Sequence, residues 1–363
     1  MGIKRTMKTG TVNQTEIKKR QRPKLTAIDL FSGCGGLTTG LRQAGYKVLA
    51  AVEIDQKARE TYALNHKSVW LAEYDIRSAN PIEIMEALKL NPGDLDLLAG
   101  CPPCQGFSRM RKRNKVRSAR DDRNALIDDF ARFALVMRPK LIMMENVPGL
   151  ADYYRFRGFK KNLENAGYQI RIEVLDVSKF GVAQRRKRLI LSASRVGTPM
   201  LAEESKTTKT VRDIIGNLPK AGNSGDSLHD MTNHRRSERI QMLIQSIPLN
   251  GGSRTDLPQE MQLDCHKKSN GFRDVYGRMA WEAIAPTITG GCTNPSKGRF
   301  LHPEEHRPIT LREAALLQGF PRKYKFEASH GKEAIALMIG NALPPPFIAV
   351  HARAMAQSII HSI

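Results

Sequence analysis

From residue 25 to residue 194 the chain repeats one pattern, a short apolar run followed by a stretch with helical periodicity. The runs are LTAIDLF, KVLAAVEID, LDLLAG, PKLIMMENV, YQIRIEVLDV and RLILSAS. Continuous apolar runs too short for buried helices, spaced by segments long enough to be helices, predict an α/β fold: a mostly parallel sheet covered by helices on both faces. Between 195 and 307 the chain turns to loops rich in Gly, Ser, Asn and Pro, with one amphipathic helix near 235–247 and few strong strands. Helical signals return at Thr310, which has capping-box spacing to Glu313, and Gly319 and Pro321 close that segment. The expected organisation is a basic flexible arm (1–24), a discontinuous sheet domain (25–194 and 308–363) and a smaller loop-rich domain (195–307).

Lysine plus arginine number 58 against 36 aspartates plus glutamates, a formal charge of +22. Such a balance attracts polyanions, nucleic acid first, although a merely cationic soluble surface reads the same way. The arm, MGIKRTMKTGTVNQTEIKKRQRPK, fits a phosphate-tracking segment and a solubilising tail equally. Five cysteines, Cys34, Cys101, Cys104, Cys265 and Cys292, are an odd and scattered set, which predicts free thiols in a reducing compartment. The sequence reading finds neither an apolar run long enough to span a bilayer nor a signal peptide, so a cytoplasmic, nucleoid-associated protein without a membrane role is expected.

The first apolar run feeds directly into SGCGGLTTGLRQAG, a glycine-rich turn opening a helix, where open α/β sheets bind ligands. Thr38 stands where the dinucleotide fingerprint needs its third glycine, which disfavours a nicotinamide dehydrogenase. Glu53 and Asp75 follow at predicted strand ends and suit a ribose and an adenine amino group; either alone is equally an ordinary surface carboxylate.

After LDLLAG comes CPPCQGFS, placing Cys104 just beyond a strand end. Cys101 and Cys104 have the spacing of a redox pair or half a zinc site, with His302 and His306 as the nearest further ligands. A thiolate nucleophile at Cys104 accounts for the setting better, since backbone amides or arginines there could lower its pKa. Glu145 ends a strongly apolar run, where a carboxylate is costly unless paired or functional. QRRKR (184–188) precedes the last run, so some of its guanidinium groups should point into the same cleft, though a solvated turn is the blander reading. RMRKRNKVRSARDDR (109–123) reads as a mobile loop closing over a polyanion, or as a plain solvated loop.

The ordered set FSGCGGL, PCQGFS, ENVPG, QRRKR, LREAALLQGFP and GNALPPP resembles the cytosine-specific DNA methyltransferases that modify carbon 5, of the prokaryotic restriction-modification type. The resemblance covers about 25–194 and 308–347. It implies a Rossmann-like domain that binds S-adenosyl-L-methionine, a smaller target-recognition domain, and a cleft for double-stranded DNA. By position, Phe31, Gly33, Gly35, Gly36, Leu37, Glu53, Ile54, Asp75, Ile76, Leu126 and Asn341 are implied cofactor contacts, with Ile54 where a bulkier aromatic often stands. Cys104 is the implied nucleophile, Glu145 the partner of the cytosine ring, and Arg186 and Arg188 the arginines of the reaction pocket.

The chemistry asks for these groups independently. Carbon 5 of cytosine is a poor nucleophile, so a thiolate adds first to carbon 6, and a carboxyl group kept protonated in a dry pocket steadies ring nitrogen 3. A base inside a duplex must also be flipped out to be reached. Arg273 and Arg278, with APTITGGCTNPSKGRF, are plausible base or phosphate readers in the middle segment. Monomeric action and pairing with a restriction endonuclease are family expectations. Two rival readings are a transfer-RNA cytosine methyltransferase and a DNA-binding protein that kept the fold without catalysis; the intact Cys104 and glycine turn disfavour the second.

Overall fold

The computed structural model describes residues 24–103, 125–232, 236–267 and 273–360. The basic arm, apart from Lys24, the loop 109–123 and Cys104 lie outside the described residues. Seven strands form one sheet: β1 (Thr26–Leu30), β2 (Lys47–Val52), β3 (Trp70–Ala72), β4 (Leu97–Gly100), β5 (Leu141–Asn146), β6 (Gln169–Asp176) and β7 (Lys187–Ser194). The order across the sheet is β3-β2-β1-β4-β5-β7-β6. The β2–β3, β1–β2, β1–β4 and β4–β5 pairs are parallel, and β7 runs antiparallel between β5 and β6. The six apolar runs are all strands, and the mostly parallel expectation holds with β7 as its one reversal.

Alternate residues along each strand feed opposite faces, as a period of two requires. Ile28, Leu98, Ile142, Met144, Leu189 and Leu191 enter one core, under α3 (Pro81–Leu88), α4 (Leu126–Met137) and α5 (Tyr154–Asn165). Ala27, Leu97, Ala99, Leu141, Met143 and Ile190 enter the other, with Leu37 and Leu41 of α1 (Gly36–Gln43) and Tyr62 of α2 (Gln56–Asn65). That second core also takes Phe347, Ile348, Ala352 and Met355 of the C-terminal helix (Pro345–Ile360), so the end of the chain packs beside its beginning. A Cβ on Gly40 would stand 2.6 Å from Cβ of Ile348 and 2.7 Å from the Pro345 carbonyl oxygen, so glycine permits this close helix pairing.

Residues Lys332–Ile359 are apolar and long enough to cross a bilayer, which corrects the reading that no such run exists. The stretch is two helices, Lys332–Asn341 and Pro345–Ile360, and 67% of its apolar window is buried inside the protein. Its hydrophobicity is that of core helices.

A third core joins Val211, Met279, Trp281, Ile288 and Phe300 of the middle segment to Leu311, Leu317, Phe320 and Ile339. The capping box anticipated at Thr310 opens the helix Leu311–Leu317: Glu313 N donates to Thr310 Oγ1 at 3.1 Å, and Thr310 N to Glu313 Oε2 at 2.7 Å. A small fourth core around Leu243, Ile244, Ile247 and Leu301 sits against the helix Glu238–Ser246, where the sequence predicts an amphipathic one.

Arg278, expected as a reader of bases or phosphates, is fully buried. Its Nη1 donates to the carbonyls of His302 (2.7 Å) and Glu305 (2.6 Å), and its Nη2 to those of Ile244 (3.0 Å) and Ile247 (3.3 Å). A guanidinium spent on carbonyls at the end of a helix is a structural clamp. Arg278→Ala should cost about 3 kcal/mol or more, because it orphans several buried acceptors at once. Denaturant unfolding checks this; a loss below about 1 kcal/mol would refute the clamp.

Candidate active site at the carboxyl edge of the sheet

β1 pairs with β2 on one side and β4 on the other, so successive connections leave it in opposite directions and open a crevice beyond its carboxyl end. The backbone there is unusual. Phe31 has φ 62°, a left-handed conformation that costs a bulky residue about 1 kcal/mol or more, and Gly35 has φ 97°. A Cβ on Gly35 would stand 2.6 Å from His66 Nε2 and from the Tyr324 hydroxyl, whereas nothing lies within 4 Å of where a Cβ on Gly33 would be. The turn is packed tightly behind and open in front.

Glu53 closes this turn. Its Oε2 accepts from Gly33 N at 2.7 Å and its Oε1 from Asp55 N at 2.8 Å. Burial pushes its carboxyl up, and those two backbone donors oppose the shift. Each oxygen retains a second lone pair for a hydroxyl donor. Beside it Ile54 is 60% exposed, an apolar face with nothing on it. Asp75 is held by Arg77 Nε at 3.0 and 2.9 Å, which lowers its carboxyl, while Ile76 turns into the core. The Ser32 hydroxyl is buried without a partner among the described residues. Carboxylates, an open glycine turn, a bare aliphatic side chain and an orphaned hydroxyl fit a nucleoside ligand.

Leu37 lies in the first turn of α1, and Leu126 opens α4, half-buried against the same core as Phe31. A Cβ on Gly36 would meet the Leu343 carbonyl oxygen at 2.6 Å, so the segment immediately after Asn341 abuts the glycine turn; Asn341 itself is exposed. These implied contacts converge on one edge, with Asp75 the one whose carboxylate already has a basic partner.

Thr38, in place of the third glycine, donates to Asp29 Oδ2 at 2.6 Å and accepts from the Tyr62 hydroxyl at 2.8 Å. Burial pushes the Asp29 carboxyl up to about 7 from 3.8; nearby Glu53 adds to this and the Thr38 hydroxyl opposes it. Between pH 3.8 and about 7 the folded chain therefore keeps a proton that the unfolded chain has lost. The stability this gives is fully present below pH 3.8 and is lost as pH rises through about 7. Across that window the Tm of Asp29→Asn should fall less steeply than that of the parent; parallel Tm curves would remove Asp29 as the cause.

The second half of the edge surrounds Glu145. It is the penultimate residue of β5 and is 1% exposed. Arg188 Nε lies 2.8 Å from its Oε1, and the Cys101 thiol donates to its Oε2 at 3.1 Å. The Arg188 contact is close but poorly aligned as a hydrogen bond, so Oε1 has no hydrogen-bond partner among the described residues. Arg186 is buried nearby, and its Nη1 donates to the Ile288 (3.2 Å) and Gly340 (3.0 Å) carbonyls. Burial first, then Arg188, depress its guanidinium to about 9, with Glu145 acting the other way. Of the two arginines, Arg188 meets the carboxylate directly, whereas Arg186 ties the β7 entry to Ile288 and Gly340. Gln184, also buried, donates to Gln318 Oε1 at 2.7 Å, so QRRKR turns Gln184 and Arg186 inward while Arg185 and Lys187 stay exposed.

Asn146 Nδ2 donates to the Pro102 carbonyl at 2.9 Å, binding the end of β5 to the backbone leading to Cys104. The two halves meet where Cys101 N donates to the Leu30 carbonyl at 3.4 Å. Cys101 is a free thiol spent on Glu145, and among the described residues no group of His, Cys, Asp and Glu could hold a metal. His302, the nearest further histidine for a zinc site that the sequence disfavours, accepts from Glu304 N (3.3 Å) and Glu305 N (3.1 Å) and packs edge-on against Trp281. The Cys101–Glu145 contact is the part of the site that sequence reading missed; the cysteine beside the nucleophile was the only signal for it.

Comparison with known proteins agrees with this edge. The family of C-5 cytosine-specific DNA methylases matches residues 25–357. The Type II methylase M.HgiDII of Herpetosiphon aurantiacus is 37% identical, over 87% of this chain and 91% of that protein. The Type II methyltransferase M1.HphI of Haemophilus parahaemolyticus is 31% identical, over 93% and 87%. A crystal structure of a DNA modification methyltransferase encoded within an E. coli prophage superposes with a TM-score of 0.66 at 27% identity, covering 93% of this chain and all of that one. With its glycine turn after β1 and Glu145 on β5, the two strands that flank β4 in one doubly wound sheet, the chain belongs to the C-5 cytosine-specific DNA methylase family.

Proposed function

We propose that the protein methylates carbon 5 of a cytosine within one short duplex sequence, as the protecting methyltransferase of a restriction-modification system. The observation that carries this reading is the buried Glu145 carboxyl group, its Oε1 2.8 Å from Arg188 Nε and without a hydrogen bond among the described residues, while the next residue, Asn146, donates its side-chain amide to the carbonyl of Pro102, two residues before Cys104 in the sequence. Glu53, Asp75, Ile54, Phe31 and the Gly33–Leu37 turn would hold S-adenosyl-L-methionine, with Ile76, Leu126 and Asn341 at its margin. The bound cofactor supplies an electrophilic methyl group to carbon 5.

The chain's own residues supply the rest. Cys104 as thiolate adds to carbon 6 of the flipped base, forming a carbon–sulfur bond and pushing the ring's electron pair toward carbon 5 and nitrogen 3. Glu145 holds a proton at nitrogen 3 so that the developing charge is neutralised in a dry pocket. Arg188 orients Glu145, and buried Arg186 adds positive potential. Solvent water takes the carbon 5 proton, its bonding pair re-forms the 5,6 double bond, the carbon–sulfur bond breaks with its pair leaving on the Cys104 thiolate, and the nitrogen 3 proton returns to Glu145. Residues 195–307 are the part assigned to reading the target, and the basic arm and the loop 109–123 to engaging phosphates. The enzyme acts as a monomer in the cytoplasm beside a cognate endonuclease.

The test is transfer of labelled methyl from S-adenosylmethionine to unmethylated duplex DNA, run beside transfer RNA, with bisulfite sequencing of the product. Label at carbon 5 of cytosine in one sequence context is expected. Label on the RNA alone would overturn the choice of substrate, and label on neither would overturn catalysis.

A further inference from the structure

Gly100 ends β4 where a Cβ would stand 2.6 Å from the Leu30 carbonyl oxygen and 2.8 Å from the Phe130 ring, so backbone packing fixes the position of the next residue, Cys101. Cys101 N is tied to Leu30, and Asn146 holds Pro102. The thiol therefore meets Glu145 Oε2 from a rigid backbone, while the opposite oxygen faces Arg188 without a hydrogen bond. The two oxygens of this carboxyl group are inequivalent.

We propose that Cys101 is a positioning residue for methyl transfer: its S–H holds Oε2 of Glu145, fixes the carboxyl rotamer, and leaves Oε1 as the atom that meets the cytosine ring. This rests on the reading of Glu145 given above. The thiol donates to Oε2, and it can do so only while it keeps its own proton, whichever form the opposite oxygen takes. Burial first, and then the neighbouring carboxylate, push the Cys101 thiol well above its ordinary range, so it stays protonated and is no competitor as a nucleophile. The two cysteines of CPPC thus divide the work: Cys104 attacks and Cys101 donates.

Three variants of the full-length protein test this. Cys101→Val fills the space without a donor, Cys101→Ala removes both, and Cys101→Ser keeps a donor. Valine and alanine should each lower kcat about tenfold, equivalent to about 1.4 kcal/mol in the barrier, and leave KM for DNA and for S-adenosylmethionine near the parent values. Serine should recover most of the rate. Valine with parental kcat, or serine no better than valine, would overturn the proposal, as would a loss tracking only a lowered Tm. A second readout needs no turnover. The S–H stretching band of Cys101, isolated by subtracting the Cys101→Val spectrum, should lie at low frequency and rise in a Glu145→Ala background. A band that stays put would exclude the contact. Failure of the parent protein to methylate DNA would overturn the underlying reading and the catalytic role of Cys101 with it, while the band would still decide whether the contact exists.

Discussion

Cys104→Ala should abolish methyl transfer, with a loss on the order of 10⁴-fold or more, the scale on which removal of an attacking nucleophile falls. The reason lies in the substrate. Without addition at carbon 6, carbon 5 of cytosine stays too electron-poor to take up a methyl group, and no neighbouring residue can substitute. Cys101 keeps its proton and is committed to Glu145 Oε2 at 3.1 Å. Affinity for S-adenosylmethionine should be unchanged, because the implied cofactor contacts Phe31, the Gly33–Leu37 turn, Glu53 and Asp75 follow β1, β2 and β3, and Cys104 is not among the implied contacts. Single-turnover transfer of labelled methyl, with cofactor binding followed by calorimetry, separates the two quantities. A residual rate within about tenfold of the parent would remove Cys104 from the nucleophile's role, since loss of a nucleophile costs far more than that.

The sequence made the sheet legible because its strands are buried on both faces, and a strand with two cores to feed reads as an unbroken apolar run. β3 escaped because it has three residues and Trp70 and Leu71 remain partly exposed at the sheet edge. Glu145 was legible for a related reason: a carboxylate closing a wholly buried strand demands an explanation in the sequence itself. Arg278 was not. In a loop-rich segment an arginine reads as a surface cation, and its carbonyl partners at Ile244, Ile247, His302 and Glu305 are 24 to 34 residues away. No local pattern encodes a guanidinium folded inward across such distances. Thr38 was read only as a missing glycine, although its hydroxyl is what ties α1 to Asp29 and Tyr62. The apolar C-terminal stretch exposed the opposite error, a run whose length suits a bilayer yet whose side chains pack beside β1 and α1.

These contacts give the site a common logic. Glu145 on β5 and Arg188 on β7 stand among residues that are braced by partners remote in sequence. Arg186 reaches Ile288 and Gly340, Gln184 reaches Gln318, and Asn146 reaches Pro102. A reaction that depends on a carboxyl group within hydrogen-bonding range of one ring edge needs such cross-bracing, because misplacement by about 1 Å can cost about 100-fold in rate.

Glu145→Gln should lower kcat by about 10² to 10⁴-fold, the range for loss of a positioned acid or base, with a much smaller change in KM. The amide preserves shape, and its oxygen can still accept from Cys101, but it cannot hold a transferable proton at nitrogen 3. Stability should also fall, because Arg188 and the buried Arg186 lose the Glu145 carboxylate beside them. Breaking a buried pair from one side costs about 3 to 5 kcal/mol when the surviving charge stays desolvated. With Arg188 still partly exposed, the smaller figure is the better expectation. The two effects separate on a second change. Adding Arg188→Met to Glu145→Gln should recover part of the Tm, since it removes the orphaned charge, and recover none of the kcat. If the double variant regained rate along with stability, Glu145 would be a scaffold for Arg188 and not the proton-holding group.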